Sequence, residues 1–132
     1  MQNEFKNKNK QIGILITNLG TPDSPTSKDL KKYLNEFLMD KRVVDLPRIF
    51  WVPLLKLIIL NVRPKKSAKL YKSIWTNEGS PLLSMSRSIV KELTSVLQKQ
   101  NPNVTIELGM RYGNPSIKNA LKFFKEYIYD YL

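Results

Sequence analysis

Arg111 and Tyr112 stand side by side in the stretch IELGMRYGNPSI, residues 106–117. The apolar residues before them predict a β-strand, and Asn114 followed by Pro115 predicts the N-cap and first position of a helix. A guanidinium between a strand end and a helix N-terminus would stabilise a bound anion, and a planar acidic ligand would also suit the tyrosine ring. The alternative is an ordinary surface turn that binds no ligand.

The segments around this stretch predict an α/β fold. Residues 11–19 are rich in Ile and Leu, as a buried parallel strand is, and the turn-rich loop GTPDSPT follows them. A second strand, VTIELG, lies near the end, and helical patterns separate the two strands. Because parallel strands bind ligands at their carboxyl ends, the loops NLGTPDS and GMRYGNP should lie on one side of the sheet. Two strands are too few for the helices present, which predicts the front part of a larger α/β protein.

The helical segments carry recognisable start signals and apolar faces. Thr26 or Ser27 would cap the first helix, Pro64 would begin a helix through KKSAKLYKSIW, and a longer helix would span residues 83–100. The pattern of apolar residues in the first helix, considered without any resemblance to other proteins, predicts that this face packs against the core. The expected faces are Leu30, Tyr33, Leu34, Phe37 and Leu38 in the first helix, Ile89, Val90, Leu93, Val96 and Leu97 in the longer one, and Ile117, Leu121, Phe124 and Ile128 in the last.

The apolar segment from Ile49 to Val62 permits two interpretations. It would suit a membrane-surface segment or the lip of a site for a large apolar ligand, and it would equally suit a buried helix with basic ends. Its 14 residues include Pro53 and Lys56 and fall short of the roughly 20 needed to span a bilayer. The flanking cations are Lys41, Arg42, Arg48, Arg63, Lys65 and Lys66.

Composition excludes several kinds of chemistry. The 132 residues contain no Cys and no His, which rules out disulfides, imidazole acid–base catalysis and the usual zinc ligands within the chain. The net charge of +11 points toward an anionic partner, although a lysine-rich and asparagine-rich composition also follows from an AT-rich coding sequence. No dinucleotide or P-loop glycine motif and no nucleic-acid-binding motif is present, so a nucleic-acid binder is supported only by the charge, and we expect no nucleic-acid partner. With no signal peptide either, we expect a cytoplasmic protein.

Four blocks in order resemble the N-terminal part of the ferrochelatase family, in the form found in Gram-negative bacteria. They are GILITNLGTPDSPT, YLNEFLMDKRVVDLP, RPKKSAKLYKSIWTNEGSPLL and LGMRYGNPSI. The resemblance implies a lyase that inserts ferrous iron into protoporphyrin IX to form protohaem, in a cleft between two Rossmann-like lobes. Residues 11–132 would be most of the first lobe, with an apolar lip at about 48–63 facing the membrane, and residues 1–10 would be a flexible N-terminus.

The resemblance also implies which residues bind the porphyrin. Arg111 and Tyr112 would lie on the pocket wall on the metal-approach side, and Arg63 near the propionates or the pocket mouth. Ser80 would lie on a loop that borders the pocket. Leu19 stands where relatives that use coproporphyrin have a tyrosine, which favours protoporphyrin. The remaining porphyrin contacts would come from the first helix, through Leu34, Phe37 and Leu38.

The same resemblance places the catalytic histidine and glutamate in a second lobe. Because the chain has no histidine, we expect no catalytic residue, metal ligand or cofactor within it, and ferrous iron would be a substrate of the parent enzyme. The isolated chain should be inactive, with protoporphyrin IX as its ligand and peripheral contact with the inner membrane. The alternative function is a stand-alone module that binds porphyrin or a membrane surface.

Overall fold

A computed structural model of the protein describes residues 11–129. The predicted flexible N-terminus, residues 1–10, and the side chain of Ile128 lie outside the described part. Within that part, two strands and five α-helices follow one another, with a π-helical turn at Leu55–Ile59 and another at Lys125–Tyr129. The elements are β1 (Ile12–Thr21), α1 (Ser27–Met39), α2 (Arg48–Leu54), α3 (Leu60–Ile74), α4 (Pro81–Gln100), β2 (Val104–Gly113) and α5 (Ile117–Phe124). The strands β1 and β2 form a two-stranded parallel sheet, which confirms the predicted α/β fold.

Both strands extend further than the sequence predicts. β1 continues to Thr21, and β2 continues to Gly113, so that Arg111 and Tyr112 lie inside a strand and not in the turn after it. Glycines permit this extension because the two backbones approach closely. A β-carbon on Gly20 (φ +114°) would overlap the carbonyl oxygen of Tyr112, and one on Gly113 (φ +77°) would lie 2.5 Å from the carbonyl oxygen of Thr21.

The chain divides into two compact units. Of the described residues, the first unit contains 11–18, 85–111 and 115–129, and the second contains 19–84 and 112–114. Alternate residues of β2 form the buried side of the first unit, as expected for a strand with one face on a core. They are Val104, Ile106, Leu108 and Met110, and Ala120 and Phe124 of α5 are buried as well.

Three predictions for helices of the first unit were wrong in detail; one concerns Leu121, which was expected on the buried face of α5 but is 53% exposed. The N-cap of α5 is Ser116, whose hydroxyl accepts a hydrogen bond from the amide of Asn119 at 3.2 Å, and not Asn114. The side-chain amide of Asn114 instead donates hydrogen bonds to Asp23, in the loop after β1. In α4, Ile89 and Val96 are 53% and 51% exposed, so these two positions do not share the side on which Ser86 is buried and Val90, Leu93 and Leu97 are partly buried.

In the second unit, α1 forms as the sequence predicts. The hydroxyl of Thr26 caps the helix by accepting a hydrogen bond from the amide of Asp29 at 3.3 Å. The predicted stripe faces the core, with Leu30 fully buried and Phe37 partly buried. Helix α1 packs mainly against α3.

A single, nearly continuous helical segment runs from Arg48 to Ile74, which corrects the prediction that Pro64 starts a new helix. Its buried positions are Trp51, Leu55, Leu60, Pro64 and Ala68, at successive spacings of four, five, four and four residues. The step of five coincides with the π-helical turn, which adds one residue and keeps both halves facing the core. Packing therefore overrides the helix-breaking tendency of Pro64. Within residues 11–129, no helix is both long and apolar enough to cross a membrane.

Candidate functional site

The structure brings four of the eight predicted porphyrin-binding residues together. Leu34, Phe37, Leu38 and Tyr112 belong to one apolar cluster in the second unit, beside Tyr33, Trp51, Leu55 and Leu60. The ring of Phe37 meets the ring of Tyr112 edge to face, with centroids 5.1 Å apart. Leu34, Leu38 and Tyr112 are only 6–8% exposed, so in this chain their side chains mainly hold the cluster together. Phe37 alone of the four is partly buried and can present an edge to a ligand.

A hydrogen bond fixes the phenol of Tyr112. Its hydroxyl donates to Oδ2 of Asp40 at 3.0 Å, and Oδ1 of Asp40 accepts from Nε of Arg42 at 3.2 Å. The Asp40 side chain is only 13% exposed, so this carboxylate is held rather than freely rotating. Apart from its position after α1, no sequence signal pointed to Asp40. The ring and hydroxyl of Tyr112 are thereby both set in place.

Tyr33 holds the end of β1 to α1. Its buried hydroxyl donates to the carbonyl oxygen of Gly20 at 3.2 Å. Burial raises the pKa of Tyr33 to about 12, and the nearby phenols of Tyr71 and Tyr112 and the carboxylate of Glu36 act in the same direction. The phenol therefore stays protonated, and remains a hydrogen-bond donor, at alkaline pH values at which an ordinary tyrosine ionises. Sequence reasoning placed Tyr33 only in an apolar stripe, because a helical pattern cannot show what a side-chain hydroxyl contacts.

The loops after the two strands lie together, as predicted from the parallel sheet. The carboxylate of Asp23 accepts two hydrogen bonds from the side-chain amide of Asn114, at 2.9 and 3.2 Å, and pairs with Nζ of Lys32 at 3.3 Å. The carboxylate of Glu36 accepts a hydrogen bond from the backbone amide of Gly113 at 3.1 Å. These contacts explain why Asn114 does not cap α5: its side chain links the two strand-end loops.

The other four predicted residues do not belong to the apolar cluster. Leu19, near the end of β1, is 51% exposed, and Arg63 on α3 is also exposed. Ser80 is 4% exposed and precedes α4, where its carbonyl oxygen accepts from the amide of Ser84 at 3.0 Å. Arg111 is exposed and Tyr112 buried, as expected for strand neighbours whose side chains point to opposite faces. A shared pocket role for Arg111 and Tyr112 stays a prediction.

The apolar segment is half buried and half exposed, so each of its two interpretations describes one face. Trp51, Leu55 and Leu60 are at most 8% exposed, and the indole of Trp51 donates to the carbonyl oxygen of Leu38 at 2.8 Å. The opposite side presents an exposed apolar face that a buried helix would not need. We call this the outer apolar face; its residues are Ile49, Phe50, Leu54, Leu57, Ile58 and Val62, which are 42–76% exposed.

The described residues show no preformed metal centre. Between residues 11 and 129, no group of three or more acidic side chains is arranged to hold a metal ion. The arrangement in the second unit is instead that of an apolar surface with a rigid aromatic support and cations around it. Such a surface can bind a large apolar molecule that carries acidic groups.

Comparison with known proteins identifies the family. The family model described as Ferrochelatase matches residues 11–130. The ferrochelatase of Haemophilus influenzae strain PittEE is 56% identical over 115 residues, which are 87% of this chain and 36% of that relative. The ferrochelatase of Actinobacillus pleuropneumoniae serotype 3 strain JL03 is 54% identical over 114 residues, 86% of this chain and 35% of the relative. That of Thioalkalivibrio sulfidiphilus is 53% identical over 116 residues, 87% of this chain and 31% of the relative.

The matches cover only part of each relative. The chain spans about a third of the length of the curated relatives it matches, and the matched part is their N-terminal part. The family match itself covers all of the residues that the structure describes. The chain therefore belongs to the ferrochelatase family.

Proposed function

We propose that this chain is the porphyrin-binding N-terminal part of a ferrochelatase, the enzyme of haem biosynthesis that inserts ferrous iron into protoporphyrin IX. Family membership supports the reaction, and the matched part of the relatives supports the assignment to their N-terminal portion. The parent enzyme would act in the cytoplasm, with peripheral contact to the membrane.

The outer apolar face carries the proposal. Ile49, Phe50 and Leu57 are 72–76% exposed, which is more apolar surface than a segment that only packs against α1 would need. Basic residues flank the segment on both sides. Arg63 after it is exposed, whereas the guanidinium of Arg48 before it donates to the carbonyl oxygen of Met39. An apolar macrocycle with carboxylate arms matches both features, because its ring would cover the apolar side chains while the arms pair with the cations.

The chain would bind the macrocycle and help to bend it, but would not deprotonate it. Metal insertion requires a base that removes the pyrrole protons, and the 132 residues contain no histidine to serve as one. The cluster that contains Phe37 and Tyr112 packs against the buried side of the segment, so it would support the outer apolar face from behind and would not contact a ring bound there. Leu19 is exposed at the end of β1 and would contact the ring; a leucine there favours protoporphyrin over coproporphyrin, as the resemblance implies.

Porphyrin binding by the 132-residue chain tests the proposal. Protoporphyrin fluorescence should change saturably on titration. The double variant Phe50→Ala with Leu57→Ala should weaken binding at least tenfold, because burial of each side chain under the ring would contribute about 1.5–3 kcal/mol to the binding free energy. Leu70→Ala is the matched control because Leu70 is 71% exposed but lies outside the outer apolar face. An Arg111→Ala variant tests the predicted anion contact in the same titration. The proposal fails if no saturable change occurs, or if Leu70→Ala weakens binding as much as the double variant.

The expected inactivity has its own assay. The chain is incubated with ferrous iron and protoporphyrin under anaerobic conditions, and protohaem is measured by absorbance. No product should form above the uncatalysed rate. Turnover would refute the view that the base lies outside these residues, while leaving the binding result intact.

A second candidate function is a stand-alone module that binds a membrane surface. The outer apolar face and its flanking cations favour it, because an interfacial segment needs apolar side chains beside basic ones. Sedimentation with vesicles that contain anionic lipid should then capture the chain, and capture should weaken as salt screens the charges. Porphyrin binding without any vesicle capture would exclude this candidate.

A further inference from the structure

The second unit also contains a cavity of about 490 Å³ that is lined mainly by basic residues. None of its lining residues belongs to the outer apolar face. Four of the six lining residues are lysines, and among the described residues none of the lining side chains is acidic. The lining consists of Lys28, Lys31, Lys32, Asn35, Lys56 and Leu60. The site is an open groove, and all four lysines are exposed, so their charges lie at its rim, where an anion would be the matching ligand.

The helix geometry explains why the lysines converge. Lys28, Lys31, Lys32 and Asn35 follow the spacing i, i+3, i+4, i+7, which places them on one face of α1, away from its apolar stripe. The π-helical turn contributes Lys56 from the opposite side, and the buried Leu60 provides an apolar floor. Like charges at i, i+3 and i, i+4 on a helix repel one another weakly, so a bound anion would relieve this repulsion among the lysines of α1.

The chain itself neutralises only part of this charge. Nζ of Lys31 donates to the neutral Oδ1 of Asn61 at 3.1 Å, and Nζ of Lys32 pairs with Asp23 at 3.3 Å in an exposed contact. Within the part of the chain that the structure describes, neither Lys28 nor Lys56 has an ion-pair partner. The cavity therefore keeps a surplus of positive charge and of N–H donors.

We propose that this lysine cavity binds phosphate groups. A phosphate carries more charge and more acceptor oxygens than a carboxylate, and lysines act on it as point charges from several directions. The volume exceeds that of one phosphate and admits a diphosphate or a phosphate with a small organic group. The source is either a free phosphorylated compound or a phospholipid headgroup, since Lys56 is followed by the exposed Leu57 and Ile58. The site does not depend on porphyrin binding.

Titration of the 132-residue chain with pyrophosphate, followed by calorimetry and by amide NMR shifts, tests the first source. Saturable binding should shift the signals of Asn35 and Leu60. The variant Lys28→Gln with Lys56→Gln should bind about thirtyfold more weakly, because two lost contacts at about 1 kcal/mol each in water make about 2 kcal/mol. The matched control is Lys91→Gln with Lys99→Gln, two exposed lysines of α4 outside the cavity that remove the same net charge. The control should stay within about twofold of the parent chain.

Vesicles test the second source. Sedimentation with phosphatidylcholine vesicles that do or do not contain phosphatidylglycerol should show capture only with the anionic lipid, and the cavity variant should lose capture while the control keeps it. Binding of pyrophosphate alone identifies a soluble ligand, and binding of vesicles alone identifies a headgroup; either supports the site. The proposal is overturned if neither probe binds, or if both pairs of variants weaken binding equally. The NMR shifts of the unsubstituted chain decide the matter even if a variant folds poorly.

Discussion

Replacing Gly20 with alanine should destabilise the second unit strongly. Gly20 has φ +114°, a conformation that costs an L-residue about 1–3 kcal/mol, and a β-carbon there would overlap the carbonyl oxygen of Tyr112. The backbone of β2 would have to move, and the hydrogen bond from Tyr33 to Gly20, at 3.2 Å, would weaken by about 1 kcal/mol. Even after the gain of about 0.4–1 kcal/mol from a stiffer unfolded chain, we expect a loss of about 3 kcal/mol or more.

The variant Gly79→Ala separates the conformational cost of a positive φ from the cost of the close backbone approach. Gly79 also has a positive φ, +97°, but no atom lies within 4 Å of the position that a β-carbon would occupy, so only the conformational cost applies. Its net loss should be about 1 kcal/mol. Urea unfolding followed by the fluorescence of Trp51, which is buried in the same unit, measures both variants. If Gly20→Ala costs no more than Gly79→Ala, the close approach of the strand ends is not what requires glycine.

Two further predictions concern the same unit. Because the pKa of Tyr33 is raised to about 12 in the folded chain, against about 10 when unfolded, its contribution to stability is complete below pH 10 and is lost as pH rises toward 12. Tyr33→Phe should reduce this decline in urea unfolding between about pH 9 and 11.5, and an unchanged decline would contradict the burial argument. Leu55→Ala should cost about 2–5 kcal/mol because Leu55 is fully buried, whereas Leu57→Ala, at a site 72% exposed, should change stability by less than about 0.5 kcal/mol. Equal losses in a paired urea experiment would show that the segment does not have the two faces described.

Much of the fold could be predicted because local patterns and packing agree in those places. The stripe of α1 and its cap at Thr26 follow the periodicity and the capping preference of the sequence. The meeting of the two strand-end loops follows from parallel pairing alone, and the hydrogen bonds between Asn114 and Asp23 confirm it. These features need no knowledge of distant contacts.

The remaining features depend on contacts that a sequence pattern does not encode. Pro64 is a legitimate signal for a helix start, yet a helix continues through it because Leu60 and Ala68 are buried on the same side. The length of β2 depends on how closely the backbone at Gly113 approaches Thr21, which is a relation between residues far apart in the chain. The porphyrin contacts of the predicted site residues came from resemblance and stay predictions, since burial in a cluster explains Leu34 equally well.

The contrast between two helical surfaces of one unit argues that the outer apolar face has a binding role. Helix α1 buries an apolar stripe and presents lysines outside, which is what packing and solubility together require. The segment from Arg48 to Ile74 packs against α1 in the same way, and its π-helical turn keeps its buried positions aligned. Its outside nevertheless carries Phe50, Leu57 and Ile58 where folding alone would be served equally well by polar residues. Because neither packing nor solubility within the described residues accounts for these side chains, the explanation is contact with an apolar ligand, with a membrane surface, or with the region that the longer relatives have beyond the matched part.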